Sequence, residues 1–304
     1  MTKNPNLIID LHTHLETLNP IVSFRNKIQG HLYSIGGHIN KDYKVILSAA
    51  MYVQFWDNYE DLKKMTTDFI EVINKFGEDV KLITNQEDLN SDYKVGIILH
   101  VESGRCLKDY KNQIPELFKL GVRGIIPIHF IDNQFGNSSD DPFRRLKIKR
   151  KDSGITEDGK ELITICNKLG MWIDLSHTTD KTGYEMIELA DEVMVSHVAI
   201  RDIVNRARNK DIKFLQKVAS KKGIFGLTPW AHLVGNSVES LKKHLSFAIE
   251  NDLAKNICIG TDLGAPIKTT SEIKSIFDLA NITKNNDFIF ENGWVFFNRA
   301  LPEK

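Results

Sequence analysis

The chain has no run of about 18 apolar residues, so nothing in it reads as a membrane-spanning helix. Its opening, MTKNPNL, lacks the apolar core of a secretory signal, and the expectation is a cytoplasmic protein that engages no membrane. Cysteine is scarce. Cys106, Cys166 and Cys258 are odd in number and show no paired spacing, which argues against a disulfide framework and for a reducing compartment. Neither sign of charge is in surplus, with 40 Lys+Arg against 40 Asp+Glu, so no overall field draws the protein to nucleic acid. Internal repeats and low-complexity stretches are also missing.

What the 304 residues do contain is a series of short apolar segments: LIIDLH, KVILSAAMYV, VGIILHVE, RGIIPIHF, MWIDLS, EVMVSH, GIFGLTP and ICIGTD. Most are apolar on consecutive residues, as strands covered on both faces are. Segments of helical spacing lie between them, such as LKKMTTDFIEVINKF, EDGKELITICNKLG, DIKFLQKVASKKG and VESLKKHLSFAIEN. Gly170 and Gly223 end two of these and are expected to cap them. Strands and helices alternating over this length predict a (β/α)8 TIM barrel, one domain over residues 1–304. A doubly wound open sheet is the competitor, weakened because no Gly-rich phosphate turn follows the first strand. Two long connections are expected, 19–43 and 131–155. The second holds a basic run, FRRLKIKRKDS, read as a solvated mobile loop because it is short and lacks interleaved aromatics beyond Phe143.

Barrel enzymes gather their chemistry where strands end and βα loops begin. The first segment ends in His12-Thr13-His14, and residues two apart in a strand leave the same face. Two neutral imidazoles there suit a divalent transition metal, though a pair of solvated loop histidines is the alternative. The other strand ends supply Glu102, His129, His177, His197 and Asp262. A bridging Glu102, with His12 and His14 on one ion and His177 and His197 on another, makes a two-metal hydrolytic centre. Water between two cations loses a proton near neutral pH and becomes the nucleophile, with Asp262 placed to hold it and shuttle its proton. Asp10 and Asp174 either orient imidazoles or cap backbone donors. His31 and His38, in the first connection, His232, in a loop, and His244, on an amphipathic helix, read as dispensable to this site, and His100 reads as a hydrogen-bonded barrel histidine.

The chain resembles the membrane (renal) dipeptidase family, zinc peptidases of the amidohydrolase superfamily. The likeness runs through VESGRCL, GVRGIIPIHF, GITEDGKELITICNKLGMWIDLSH, VSHVAIRDIVNRARN and ICIGTDLG, most of residues 95–264. It implies two zinc ions bridged at Glu102, with His177 and His197 completing one shell. It implies Asp262 as the catalytic acid/base, His129 polarising the scissile carbonyl, and Arg208 gripping the substrate carboxylate through a guanidinium fork. Such enzymes often form homodimers. Three departures stand out. The family's His-x-Asp is His12-x-His14 here, the usual Glu-Gly-Gly is ESG, and Gly264 replaces the second aspartate of SDFDG. Zinc is the default metal, with manganese, iron or cobalt fitting similar ligands.

The leading reading is therefore a metal-dependent hydrolase of small amide substrates, most simply a dipeptide. The same metals would serve a phosphoesterase or nuclease-like member of the superfamily, which also begins with His-Thr-His. A non-catalytic binding protein on the same barrel is the third reading, disfavoured because every expected active position is filled.

Overall fold

Runs of Val, Ile and Leu leave a strand no polar face to show to water, so both its faces need covering. The computed structural model describes residues 6–15, 34–40, 42–54, 56–141, 151–265, 267–270, 273–283, 286 and 288–303. In it those runs form β1 (Leu7–Thr13), β2 (Lys44–Tyr52), β4 (Val95–Glu102), β5 (Val122–Ile126), β6 (Trp172–Asp174), β7 (Val193–Val198), β8 (Ile224–Leu227) and β9 (Ile257–Ile259). All pair in parallel, in the order β2-β1-β9-β8-β7-β6-β5-β4, and a β2–β4 pairing closes the ring. The fold is the expected (β/α)8 barrel. A further strand, β3 (Val80–Leu82), pairs with the start of β4. Its Val-Lys-Leu is too short to announce itself by periodicity.

Helices flank the barrel, and polar caps mark where they begin. Asn58 accepts the amides of Glu60 and Asp61 ahead of the helix Tyr59–Asn74. Thr156, Asp211 and Ser237 do the same work for Glu157–Leu169, Ile212–Ser220 and Val238–Glu250. Gly170 is left-handed, with φ 70°, as a helix-ending glycine should be. Gly223 corrects the expectation. The left-handed residue after Ser220 is Lys222, φ 59°, and Gly223 lies one step beyond, donating to Val218 O at 3.0 Å. Glycine is needed there because a Cβ would meet the Val193 backbone oxygen at 2.7 Å.

The helix Phe288–Ala300 carries no clear sequence signal, yet it packs on β1 and β9 through Gly293, where a Cβ would lie 2.9 Å from Ile9. Its Phe296 and Phe297 rings meet Trp172, the first residue of β6, so this contact lies away from the strand C-termini. His232 falls in a short helix, Ala231–Val234, rather than a loop. None of the described helices is long and apolar enough to cross a membrane. His31, most of the 19–43 connection and residues 142–150 of the basic run lie outside the described residues.

Candidate active site

The ends of β1, β4, β5, β6, β7 and β9 each deliver one or two side chains to the same mouth, and irregular pairing sharpens their aim. The β1–β2 register shifts between Asp10 and Thr13, around His12, and the β7–β8 register shifts between Val195 and Val198, around His197. Such bulges turn a side chain out of its regular alternation. Here the His12 and His197 rings stack with centroids 3.9 Å apart. Ser103, Phe130 and Asp262 all have positive φ, at 86°, 64° and 54°. Non-glycine residues seldom adopt this conformation, and these three follow Glu102, follow His129, or belong to the site itself.

The expected residues converge. Glu102 is 2% exposed and sits at the centre, with Oε1 3.6 Å from His12 Nε2, 3.5 Å from His177 Nε2 and 3.6 Å from His129 Nε2. Its Oε2 lies 3.3 Å from His14 Nε2. Asp262 Oδ1 is 3.2 Å from His14 Nε2 and 3.8 Å from His12 Nε2. His177 and His197 bring their Nε2 atoms within 3.0 Å of each other. Four sets of potential ligand atoms therefore overlap: His12, Glu102 and His197; His12, His14 and Asp262; Glu102, His129 and His177; and, behind His12, His12 again with His100 and Asp174.

Burial drives Glu102 and the histidines toward their neutral forms. It pushes the Glu102 carboxyl up, and it holds His12, His129, His177 and His197 well below the usual imidazole range. Neighbouring groups add to this, with His100 acting on His12 and Arg208 on His177. For His14, burial is outweighed by Glu102 and Asp262, which raise it. Neutral imidazole is the form that ligates metal. His12 Nε2, Glu102 Oε2 and His129 Nδ1 are buried yet make no hydrogen bond. A buried carboxylate with lone pairs left over, among imidazoles of which only His14 is raised, is costly unless a cation joins it. The nitrogen and oxygen donors present fit a divalent transition metal.

The supporting residues are only partly those expected. Asp10 accepts from the His12 and Thr261 amides at 3.1 and 2.8 Å and from the Thr261 hydroxyl at 2.6 Å. Asp174 accepts from the Ser176 and Ser196 amides at 3.0 and 3.1 Å. Both therefore cap backbone donors and touch no imidazole directly. His100 bonds Ser48 Oγ and His12 Nδ1, each at 2.9 Å, as a barrel histidine should. Arg208 is buried. Its Nη1 donates to Ser176 O, and its Nη2 donates to His197 O at 3.0 Å and lies 3.2 Å from His177 Nε2, so both terminal nitrogens are engaged inside the protein, while the buried Nε makes no hydrogen bond.

Three participants went unread in the sequence. Asp140, from the connection after β5, reaches His177 Nδ1 at 2.6 Å. Tyr52, at the end of β2, stands edge-on to His129 with centroids 5.1 Å apart. Ser196 Oγ meets His197 Nδ1 at 2.8 Å. The paired Ser-His steps at 176–177 and 196–197 were the available sign of the serine; nothing in the local sequence pointed to Asp140.

Comparison with known proteins gives a consistent picture. A model of the family described as membrane dipeptidase (peptidase family M19) matches residues 12–286. Dipeptidase 3 of Mus musculus is 27% identical over 186 residues, which cover 58% of this chain and 37% of that protein. An uncharacterized protein in the PQQ-III 3′ region of Acinetobacter calcoaceticus is 23% identical over 164 residues, covering 53% of this chain and 51% of that one. The chain thus spans about half, or less, of the length of these relatives. Two solved structures share the fold along nearly their whole length. An amidohydrolase from Pseudomonas aeruginosa superposes with TM-score 0.79 at 17% identity, covering 97% of each chain. A metallo peptidase from Rhodobacter sphaeroides, bound to a phosphinate mimic of the dipeptide L-Ala-D-Ala, gives 0.78 at 17% identity, covering 97% of this chain and 99% of that one.

Proposed function

Since the chain belongs to the membrane dipeptidase family, a metal-dependent family, we propose that it hydrolyses small amide substrates, most simply dipeptides, at a centre holding two divalent metal ions, zinc by default. The observation that carries this reading is the convergence of four imidazoles and the Glu102 carboxylate from strand ends around the barrel, with His12 Nε2 and Glu102 Oε2 left without hydrogen bonds. His12, His14, Glu102, His177 and His197 would hold the metal. When bound, divalent cations supply Lewis acidity, easing deprotonation of water and stabilising negative charge on oxygen.

The chain's own groups account for the remaining steps. Asp262 takes a proton from the attacking water and passes it to the departing amine nitrogen as the C–N bond breaks. Its Oδ1, 3.2 Å from His14 Nε2, already lies at the centre of the cluster. His129, whose Nε2 faces the cluster 3.6 Å from Glu102 Oε1, donates to the carbonyl oxygen as negative charge builds there. Arg208 takes the substrate carboxylate by releasing an internal acceptor such as His197 O. The proposal includes a reducing compartment, supported by three buried, unpaired thiols and tested by fractionating the source cells.

Elemental analysis of the native protein, beside a panel of dipeptides that includes L,D pairs and C-terminally amidated analogues, tests the reading. Bound divalent metal and turnover of at least one dipeptide are expected, with a raised KM for the amidated forms. A metal-free protein that cleaves no amide overturns it, and cleavage of phosphoesters alone moves the chain to a different chemistry.

A further inference from the structure

The connection after β5 is zipped onto the loop that carries His177. Ser138 bridges Thr178 in antiparallel fashion, the Thr179 amide donates to Asn137 O at 3.0 Å, and the Ser139 amide to His177 O at 2.9 Å. The connection is braced from within as well. Asp132 Oδ1 accepts the Ser138 amide at 2.8 Å, and Asn137 Oδ1 accepts the amides of Ser153 and Gly154 at 2.8 and 3.0 Å. Asp140 follows directly on this bridge. Its Oδ2 lies 2.6 Å from His177 Nδ1 and 3.3 Å from Arg208 Nε.

A neutral imidazole carries its proton on one nitrogen only, and a carboxylate at Nδ1 makes Nδ1 the donor. The lone pair is then on Nε2, the atom facing Glu102 Oε1 at 3.5 Å, His197 Nε2 at 3.0 Å and Arg208 Nη2 at 3.2 Å, so a bound cation takes the place of the Arg208 donor there. The partners of the neighbouring imidazoles differ. His12 Nδ1 faces the ring of His100, and His197 Nδ1 faces the Ser196 hydroxyl, both neutral groups. His177 alone of these three has an anion behind it, which makes its ring the more basic donor as well as the more firmly oriented one.

We propose that Asp140 is a positioning residue for metal binding. It fixes the tautomer and orientation of His177 so that Nε2 presents its lone pair to a divalent cation, and it ties Arg208 to the same geometry through one oxygen. This assignment rests on the metal-hydrolase reading above.

The test compares the wild-type chain with Asp140→Ala, Asp140→Asn and Ser139→Ala. Each is stripped of metal and titrated with zinc(II) against a chromophoric chelator. Asp140→Ala is expected to weaken zinc affinity about 10- to 100-fold, with Asp140→Asn, which keeps an acceptor but loses the charge, falling in between. Ser139→Ala loosens the same bridge, through the hydroxyl contact to His177 O, without touching the imidazole, and its affinity is expected to stay at the wild-type level. A cobalt(II) absorption band shifted in Asp140→Asn and not in Ser139→Ala would locate the effect at the ligand field. Should Asp140→Ala fail to fold, Asp140→Asn decides alone. Asp140 variants that bind zinc as tightly as wild type overturn this assignment only; a wild-type chain that binds no divalent metal overturns the site reading with it.

Discussion

Asp262 holds its backbone at φ 54°, a conformation that costs a non-glycine residue roughly 1 kcal/mol or more. What it gains is reach. The Asp262 amide bonds His12 O at 2.9 Å while the carboxylate extends back over the cluster to His14. In Asp262→Asn the amide side chain keeps the shape and can still approach the imidazoles, yet cannot take up a proton. Turnover is therefore expected to fall by about 10²–10⁴-fold. Metal content, measured by elemental analysis on the same preparation, should stay near the wild-type level. Unchanged kcat would remove Asp262 from the proton path. At this scale the strand-end histidines, Glu102 and Asp262 were readable because a barrel confines its chemistry to predictable positions along each strand. Asp140 was not, since its place depends on how a long connection folds back, and a single carboxylate in Ser-Ser-Asp-Asp carries no periodic signal. The internal bonding of Arg208 was equally hidden, because a loop arginine looks the same in sequence whether it meets water or Ser176 O.

The strand and helix elements were legible where they are long and regular, and less so where one contact decides. Consecutive apolar residues sufficed for eight barrel strands. The register shifts that turn His12 and His197 toward each other leave no trace in composition, because they depend on partner strands. Gly264 shows how a departure from a family pattern can have a local cause. It has φ 89°, and a Cβ there would fall well inside contact distance of His14 O. The turn after β9 thus approaches the end of β1 so closely that only glycine fits. Gly264→Ala should push on the His14 backbone, lowering thermal stability and weakening divalent-metal affinity together. Gly170→Ala is the control. Gly170 has φ 70°, but a Cβ at that position would meet nothing within 4 Å, so its substitution strains a helix end far from any ligand. A stability loss of about 1 kcal/mol with unaltered metal affinity is expected there. Equal effects of the two substitutions on zinc affinity would show that Gly264 acts only on the fold.

Across the whole molecule, the candidate ligands span the chain from His12 on β1 to Asp262 after β9, and the strands between them form one closed ring. In an unfolded chain these side chains are far apart, so a divalent metal held by this cluster would bind the native state in strong preference. Binding that selects the native state adds about 2.7 kcal/mol at a free ligand concentration 100 times Kd. The metal-free protein carries the opposite burden, a buried Glu102 whose Oε2 makes no hydrogen bond, in a cluster where burial keeps His12, His129, His177 and His197 neutral. Stripping with a chelator should therefore lower the melting temperature by roughly 5 °C or more, and returning zinc should restore it in a concentration-dependent way. Glu102→Gln separates the two contributions. The amide relieves the cost of an uncompensated carboxylate, so the stripped variant should melt at or above the stripped wild type, while zinc raises its melting temperature much less. If the stripped and zinc-loaded wild type melt together, the cluster is not a metal site linked to folding. If the stripped Glu102→Gln melts well below the stripped wild type, the central carboxylate stabilises the barrel by itself, and its lone pairs are satisfied without a cation.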